Sequence, residues 1–262
     1  MGQAAPVPEA PEMRLWRIDC GTLAFSDFGA FSDTRDYDGQ RRTLTDSCYL
    51  IRHGDAYLLW DSGLSASLIG APQSDDGETI SLDRTIEAQL AQIGVKPAQV
   101  VYLGISHYHD DHTGQAAAFP GATLLIGAQE WQAIRTVRPE SERERFRPWI
   151  SRGGKVEPVA RDRDVFGDGS VMILAMPGHT PGHRALLVKL PKTGYVLLSG
   201  DQFHVRESMA MDLVPTFNFD RADTLASSDR FRRIAKKLNA RVVVQHDPRD
   251  IAKLPLFPES AR

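Results

Sequence analysis

Apolar positions along the chain fall into short runs of strand period and longer stretches of helical period, separated by clusters of Gly, Pro, Asp and Ser. Met13 to Cys20 reads as a strand, and the polar stretch from Ser26 to Asp46 that follows reads as a long loop. Cys48–Ile51 and Ala56–Trp60 flank Gly54-Asp55, which predicts a hairpin closing on Asp61-Ser62-Gly63. A second predicted hairpin, His183–Leu190 and Tyr195–Ser199 around Pro191-Lys192-Thr193-Gly194, ends in Gly200-Asp201. Two hairpins that each end at an aspartate suggest an internally duplicated sheet. Leu82, Ile86, Leu90 and Ile93 recur at helical spacing and stop at Gly94, predicting an amphipathic helix. A second helix is predicted from about Arg221 to Leu238, with Leu225, Phe231, Ile234 and Leu238 on one stripe and Asp220 as N-cap.

Hairpins interleaved with helices give an α/β layered domain over residues 13–262, with no linker to divide it. Residues 1–12 are rich in Ala and Pro, without the apolar core of a signal peptide, and read as a disordered tail. A signal removed earlier would leave the same start. The expectation is therefore a cytoplasmic protein, or a periplasmic or secreted one if such a signal has been removed.

Bulk composition narrows the partners. A net charge of −3 leaves no basic excess to attract nucleic acid or anionic lipid. The longest apolar runs, Val171–Met176 and Tyr195–Leu198, are strand-sized, far short of the roughly 18 residues of a membrane span. Cys20 and Cys48 could pair in an oxidising compartment, but two thiols in a chain of this length are expected to be free and buried.

The chemistry concentrates in Ser106-His107-Tyr108-His109-Asp110-Asp111-His112-Thr113, directly after the apolar run Val100–Ile105. A buried strand would deliver these groups to a sheet edge, and burying so many ionisable side chains without an ion would cost several kcal/mol each. In extended chain His107 and His109 point the same way and can grip one ion, whereas Asp111 and His112 suit a second. His179 sits in the Pro-Gly loop Met176–His183, Asp201 follows Leu197-Leu198, and His246 follows Val242–Val244, so each ends an apolar run. Ligands on strand ends converge and are held rigidly. The inventory is His107, His109 and His179 for one ion, Asp111, His112 and His246 for another, with Asp201 bridging. Imidazole and carboxylate donors without thiolate indicate two divalent ions, zinc first, with cobalt, manganese or iron as alternatives. Such a pair activates water at neutral pH, so the implied chemistry is hydrolysis.

The pattern His107-x-His109-x-Asp111-His112, then His179, Asp201 and His246, resembles the metallo-β-lactamase superfamily over nearly the whole chain from Met13. That resemblance implies an αββα sandwich of two mixed sheets flanked by helices. It leaves the substrate open, because lactonases, thioesterases, phosphodiesterases and nucleases share the ligands. The bridging Asp201 disfavours a β-lactamase, whose members of this fold lack it. Glyoxalase II relatives need a helical C-terminal region, and only residues 247–262 follow His246.

The N-acyl homoserine lactone lactonases of the quorum-quenching branch remain the better match. Leu15-x-x-x-Asp19-Cys20-Gly21-Thr22, the loop through Phe31-Ser32-Asp33-Thr34 to Thr45–Ile51, and Gly200-Asp201-Gln202-Phe203-His204 carry that resemblance. Many of those lactonases place a tyrosine three positions after the bridging aspartate, against the substrate carbonyl. Here His204 stands there, and an imidazole N–H can also donate to a developing oxyanion. The expected activity is lactone ring opening, with Asp111 shuttling the proton and His204 polarising the carbonyl. The expected partner is a small-molecule lactone, handled by a monomer or homodimer.

Phe28, Phe31, Phe203 and Met209 are the candidate contacts to the acyl chain, within two apolar groups that also contain Phe25, Met211, Leu213, Phe217 and Phe219. His53 and His183 are assigned to structure. The alternatives are another hydrolase on the same site, acting on a different lactone, a thioester or a phosphotriester, and, outside enzymes, a metal- or partner-binding protein.

Overall fold

The computed structural model describes residues 11–262. Two sheets face each other. The first contains β1 (Met13–Phe25), β2 (Arg42–His53), β3 (Ala56–Trp60), β4 (Gln73–Asp75), β5 (Glu78–Ser81), β6 (Val100–Ile105), β7 (Thr123–Gly127) and β8 (Val156–Val159), in the order β4-β5-β1-β2-β3-β6-β7-β8. The second contains β9 (Arg163–Asp164), β10 (Val171–Ala175), β11 (Arg184–Leu190), β12 (Gly194–Leu198) and β13 (Arg241–Val243), in the order β13-β12-β11-β10-β9.

The duplication suggested by the two aspartate-ended hairpins has a counterpart in the topology. β2 and β3 pair antiparallel and β3 then pairs parallel with β6; β11 and β12 pair antiparallel and β12 then pairs parallel with β13. Between the sheets, Leu15, Tyr49, Ile51, Leu58 and Trp60 pack against Val171, Ile173, Leu186, Val188, Val196 and Leu198. Helices cover the outer faces. Ile86 and Leu90 of α1 (Ile86–Gln92) pack on Ile18, Leu50 and Leu103, and Phe231 of the helix Arg221–Leu238 packs on Leu187, Leu197 and Phe203. This is the αββα sandwich.

Local signals explain the helix ends. Thr85 Oγ1 accepts from Ala88 N at 3.1 Å to start α1, and Gly94, at φ +72°, takes the left-handed conformation after its end. Asp220 caps the long helix by accepting from Asp223 N at 2.8 Å. β1 runs on to Phe25, past the predicted end at Cys20, and β2 begins at Arg42 inside the predicted loop, because the two strands pair along their whole length. Cross-strand pairing overrides the polar composition there.

One expectation is overturned. Cys20 and Cys48 form a disulfide across β1 and β2, with Cα atoms 5.8 Å apart. Adjacent strands place them within bridging distance, which a count of cysteines does not reveal. Of the tail expected over residues 1–12, all but Pro11 and Glu12 lies outside the described residues, and the Glu12 carbonyl accepts from Gly54 N at 3.0 Å. Among the described residues no helix is long and apolar enough to cross a membrane.

Candidate metal centre

β6 ends at Ile105 and delivers His107 and His109, followed by α2 (Asp110–Thr113), which carries Asp111 and His112. β10, β12 and β13 end just before the loops that bring in His179, Asp201 and His246. The structure brings these side chains into two groups: His107, His109, His179 and Asp201, and Asp111, His112, Asp201 and His246. Asp201 belongs to both. Its Oδ2 lies 3.6 Å from His107 Nε2 and 3.4 Å from His179 Nε2, while its Oδ1 lies 3.1 Å from His112 Nε2 and 2.9 Å from His246 Nε2.

The donor atoms fit metal ions. His107 Nε2, His109 Nδ1 and His179 Nε2 stand 2.9, 3.0 and 3.2 Å from one another. That is near the roughly 3.3 Å edge of a tetrahedron whose metal–nitrogen distances are about 2.0–2.1 Å. Three ring nitrogens so placed cannot all be satisfied by hydrogen bonds to each other. In the second group His112 Nε2 and His246 Nε2 are 3.2 Å apart, and Asp111 Oδ2 is 3.6 Å from each.

The opposite ring nitrogens are held in turn. His107 Nδ1 meets Ser106 Oγ at 3.1 Å, His179 Nδ1 meets Asn218 Oδ1 at 3.0 Å, and His246 Nδ1 meets the Thr45 carbonyl at 3.0 Å. His112 Nδ1 meets Asp61 Oδ2 at 2.9 Å. Such partners fix ring orientation and raise donor basicity. Asp61 also accepts from Ser106 N and Gln245 Nε2, which over-determines its unusual φ of +61°. Asp61, Asn218, Gln245 and Glu130 are site residues that sequence reasoning missed. Only Asp61 carried a signal, as the last group of a predicted hairpin.

Electrostatics separates the two groups. Burial, reinforced by neighbouring imidazoles, holds His107 well below the usual histidine range, and burial likewise lowers His109 and His179, giving the neutral form that ligates metal. Burial also opposes protonation of His246 and His112, but the carboxylates outweigh it: Asp201 and Asp111 lift His246 to about 9, and Asp201, Asp111 and Asp61 push His112 well above its ordinary value. The cationic imidazoles hold Asp201 ionised despite its burial.

Above the ligands opens a cavity of about 610 Å³, lined on one side by Leu23, Phe25, Phe31, Leu44, Ile80 and Phe217 and reaching His109, Asp111, Asp201, His204 and His246. His204 Nε2 is 3.1 Å from Asp201 Oδ2, and its ring lies edge-on to Phe31 and Phe217, with centroids 5.0 and 5.8 Å away. Phe31 therefore borders the cavity. Phe28, Phe203 and Met209 do not. Phe28 is fully buried beneath Phe31, stacked at 3.9 Å. Phe203 is extended, so alternation sends it away from His204 into the core against Phe231, 5.4 Å between centroids. Met209 packs in that same cluster. Next to Phe25 and Ile80 the cavity is also lined by Asp75, Asp76 and Glu78 of the β4–β5 hairpin, where Glu78 pairs directly with Phe25 and the Asp76-Gly77 turn has both residues at positive φ. His53 pairs with Asp168 at 2.8 Å, away from the site, and His183 Nε2 accepts from Asp201 N at 2.9 Å beneath it.

The family model described as the metallo-beta-lactamase superfamily matches residues 42–246. The N-acyl homoserine lactonase AttM of Azorhizobium caulinodans is 30% identical over 216 residues, covering 76% of this chain and 81% of that protein. The N-acyl homoserine lactonase AiiA of Bacillus thuringiensis subsp. kurstaki is 27% identical, covering 81% and 85%. A solved structure of a quorum-quenching N-acyl homoserine lactone hydrolase superposes with a TM-score of 0.81 at 25% identity, covering 97% of this chain and all of that one. With the bridging Asp201 and the strand-end ligands in place, the chain belongs to the metallo-β-lactamase superfamily, in the branch of the N-acyl homoserine lactonases.

Proposed function

We propose that the protein is a dinuclear-metal lactonase that opens the ring of N-acyl homoserine lactones. The observation that carries this reading is Asp201, which offers one oxygen to each ligand group at the floor of a cavity with an apolar wall. Two divalent ions held there supply Lewis acidity toward a carbonyl and lower the pKa of water to roughly 7. Zinc suits the nitrogen and oxygen donors, with cobalt, manganese and iron as alternatives.

The chain's own residues do the rest. His204 sits beside Asp201, its ring oriented by Phe31 and Phe217, and donates an N–H to the carbonyl oxygen as negative charge develops there. Asp111, partly open to the cavity, takes the proton of the attacking water on a carboxylate oxygen and passes it to the ring oxygen as the carbon–oxygen bond breaks. A hydroxyl and a carboxylic acid result, and the acid releases its proton to solvent to leave a carboxylate. Phe31, Phe25, Leu23, Ile80 and Phe217 form an apolar surface for the acyl chain. The protein acts as a monomer or homodimer, and the Cys20–Cys48 disulfide favours an oxidising compartment.

The test is a panel of acyl homoserine lactones, other lactones, thioesters and aryl phosphotriesters given to metal-loaded protein, with ring opening read by mass spectrometry with and without chelator. Chelator-sensitive opening of acyl homoserine lactones above the other substrates is the expected result. A fully loaded protein that leaves every lactone intact would sink the reading.

A further inference from the structure

Asp46, on β2, is fully buried, and neither carboxylate oxygen has a hydrogen-bond partner among the described residues. Its neighbours Thr45 and Ser47 turn to the opposite face, where Arg17 donates to Ser47 Oγ at 2.8 Å and to Thr45 Oγ1 at 2.7 Å. The nearby guanidinium is therefore engaged on the side away from Asp46. Leu44, which shares Asp46's face by strand alternation, lines the cavity above the metal ligands. The residue before Asp46, Thr45, pairs with His246 through both backbone groups, its N–H donating to the His246 carbonyl at 3.1 Å and its carbonyl meeting His246 Nδ1 at 3.0 Å. Burial, then the charge of Asp111, lifts the Asp46 carboxyl to about 8 while His246 and His112 pull it down, so it becomes a carboxylate at neutral pH only where further positive charge is brought beside it.

An unpaired buried carboxylate is costly, and none of the described residues donates to this one. Charge balance supplies a reason. Two divalent ions bring four positive charges; the ligands Asp111 and Asp201 return two and the buried Asp61 behind His112 a third, which leaves one. We propose that Asp46 is the counter-charge of the second metal position, a positioning residue that raises the affinity of the ion held by Asp111, His112 and His246 without ligating it. The inference rests on the dinuclear reading above, and it gives a task to a buried group that the mechanism leaves unused.

The experiment uses zinc alone. Wild type and Asp46→Asn, the isosteric neutral variant, are loaded with two equivalents and titrated with a chromogenic chelator, with metal content measured after dialysis. Wild type should hold two zinc ions. Asp46→Asn should hold the second about 10–100-fold more weakly, the scale of a lost outer partner, while the first changes less than about twofold. A circular dichroism spectrum of the metal-free variant checks its fold, and Asp46→Ser takes its place if it does not fold. Two zinc ions bound at wild-type affinity would overturn the proposal, as would equal weakening of both. A wild type that takes up no zinc would overturn the dinuclear reading and this inference together. Two ions bound without lactone opening would refute the substrate assignment and leave this inference standing.

Discussion

The floor of the site and its wall are built differently. Every group of the floor follows a strand or lies in the short helix after one, and His107, His112, His179 and His246 are locked from behind by Ser106, Asp61, Asn218 and the Thr45 carbonyl. The wall comes from the segment around Phe25 to Phe31, the β1–β5 pair at Leu23 and Ile80, and the loop carrying Phe217, a residue 46% exposed whose ring meets Phe31 and His204. Rigid elements place reacting groups precisely, whereas an exposed aromatic loop can adapt to ligands of different length. The floor should therefore govern metal content and turnover, and the wall should govern which chain is preferred.

Asp201→Asn strikes the centre of the floor and should have the largest effect. Neutralising the carboxylate that offers one oxygen to each ligand group should uncouple the two ions and raise the barrier to turnover by several kcal/mol, on the order of 10³-fold. Metal analysis with single-turnover kinetics checks it. A variant that kept both ions and full turnover would show that the floor does not depend on its bridge.

Phe203→Ala tests a residue that sequence reasoning assigned to the wall and the structure places in the core. Loss of a buried phenyl beside Phe231 should cost about 3–5 kcal/mol of stability in denaturant melts. Acyl-chain preference should stay unchanged. A shifted preference would return Phe203 to the wall.

Glu130 ties the floor's loops together, accepting from Tyr108 N at 3.0 Å, between His107 and His109, and from Gly182 N at 2.6 Å, in the loop after His179. That loop sits tightly: Gly178 has φ +135°, and a Cβ there would lie 2.3 Å from Thr224 N. Burial lifts the Glu130 carboxyl to about 7. Because the folded state then binds the proton more tightly than the unfolded state, Glu130's contribution to stability falls as pH rises from about 4.5 to 7, by at most about 3 kcal/mol. Metal-free wild type should lose stability across that window relative to Glu130→Gln. Parallel stability curves would refute the assignment.

Legibility follows the same division. The floor could be read from the sequence because its groups stand at ends of apolar runs, where periodicity is strong and ligand spacing specific. The wall was half read, since Phe31 and Phe203 look alike in composition and only the extended backbone after Asp201 decides which faces the cavity. Partners from distant segments, such as Asn218 behind His179 or Glu130 behind Tyr108, leave no local pattern. The disulfide was misjudged for the same reason, because pairing depends on the β1–β2 register.

His204 sits on the boundary, touching Asp201 on one side and two wall aromatics on the other. His204→Ala should leave both ions bound and lower kcat by about 10²-fold, the scale of one lost oxyanion donor. Unchanged turnover in the fully loaded variant would remove it from the chemistry and assign it to the wall.

Phe217→Ala should have the smallest effect and separates the regions most finely. The side chain is about half exposed, so removing it sacrifices on the order of 1 kcal/mol of apolar contact with a long acyl chain, a KM increase of roughly fivefold. Short-chain lactones should respond less, and kcat should stay within about twofold. Because its ring also orients His204, a fall in kcat shared by all chain lengths would mean that Phe217 works through that imidazole and that the boundary lies one residue further into the wall.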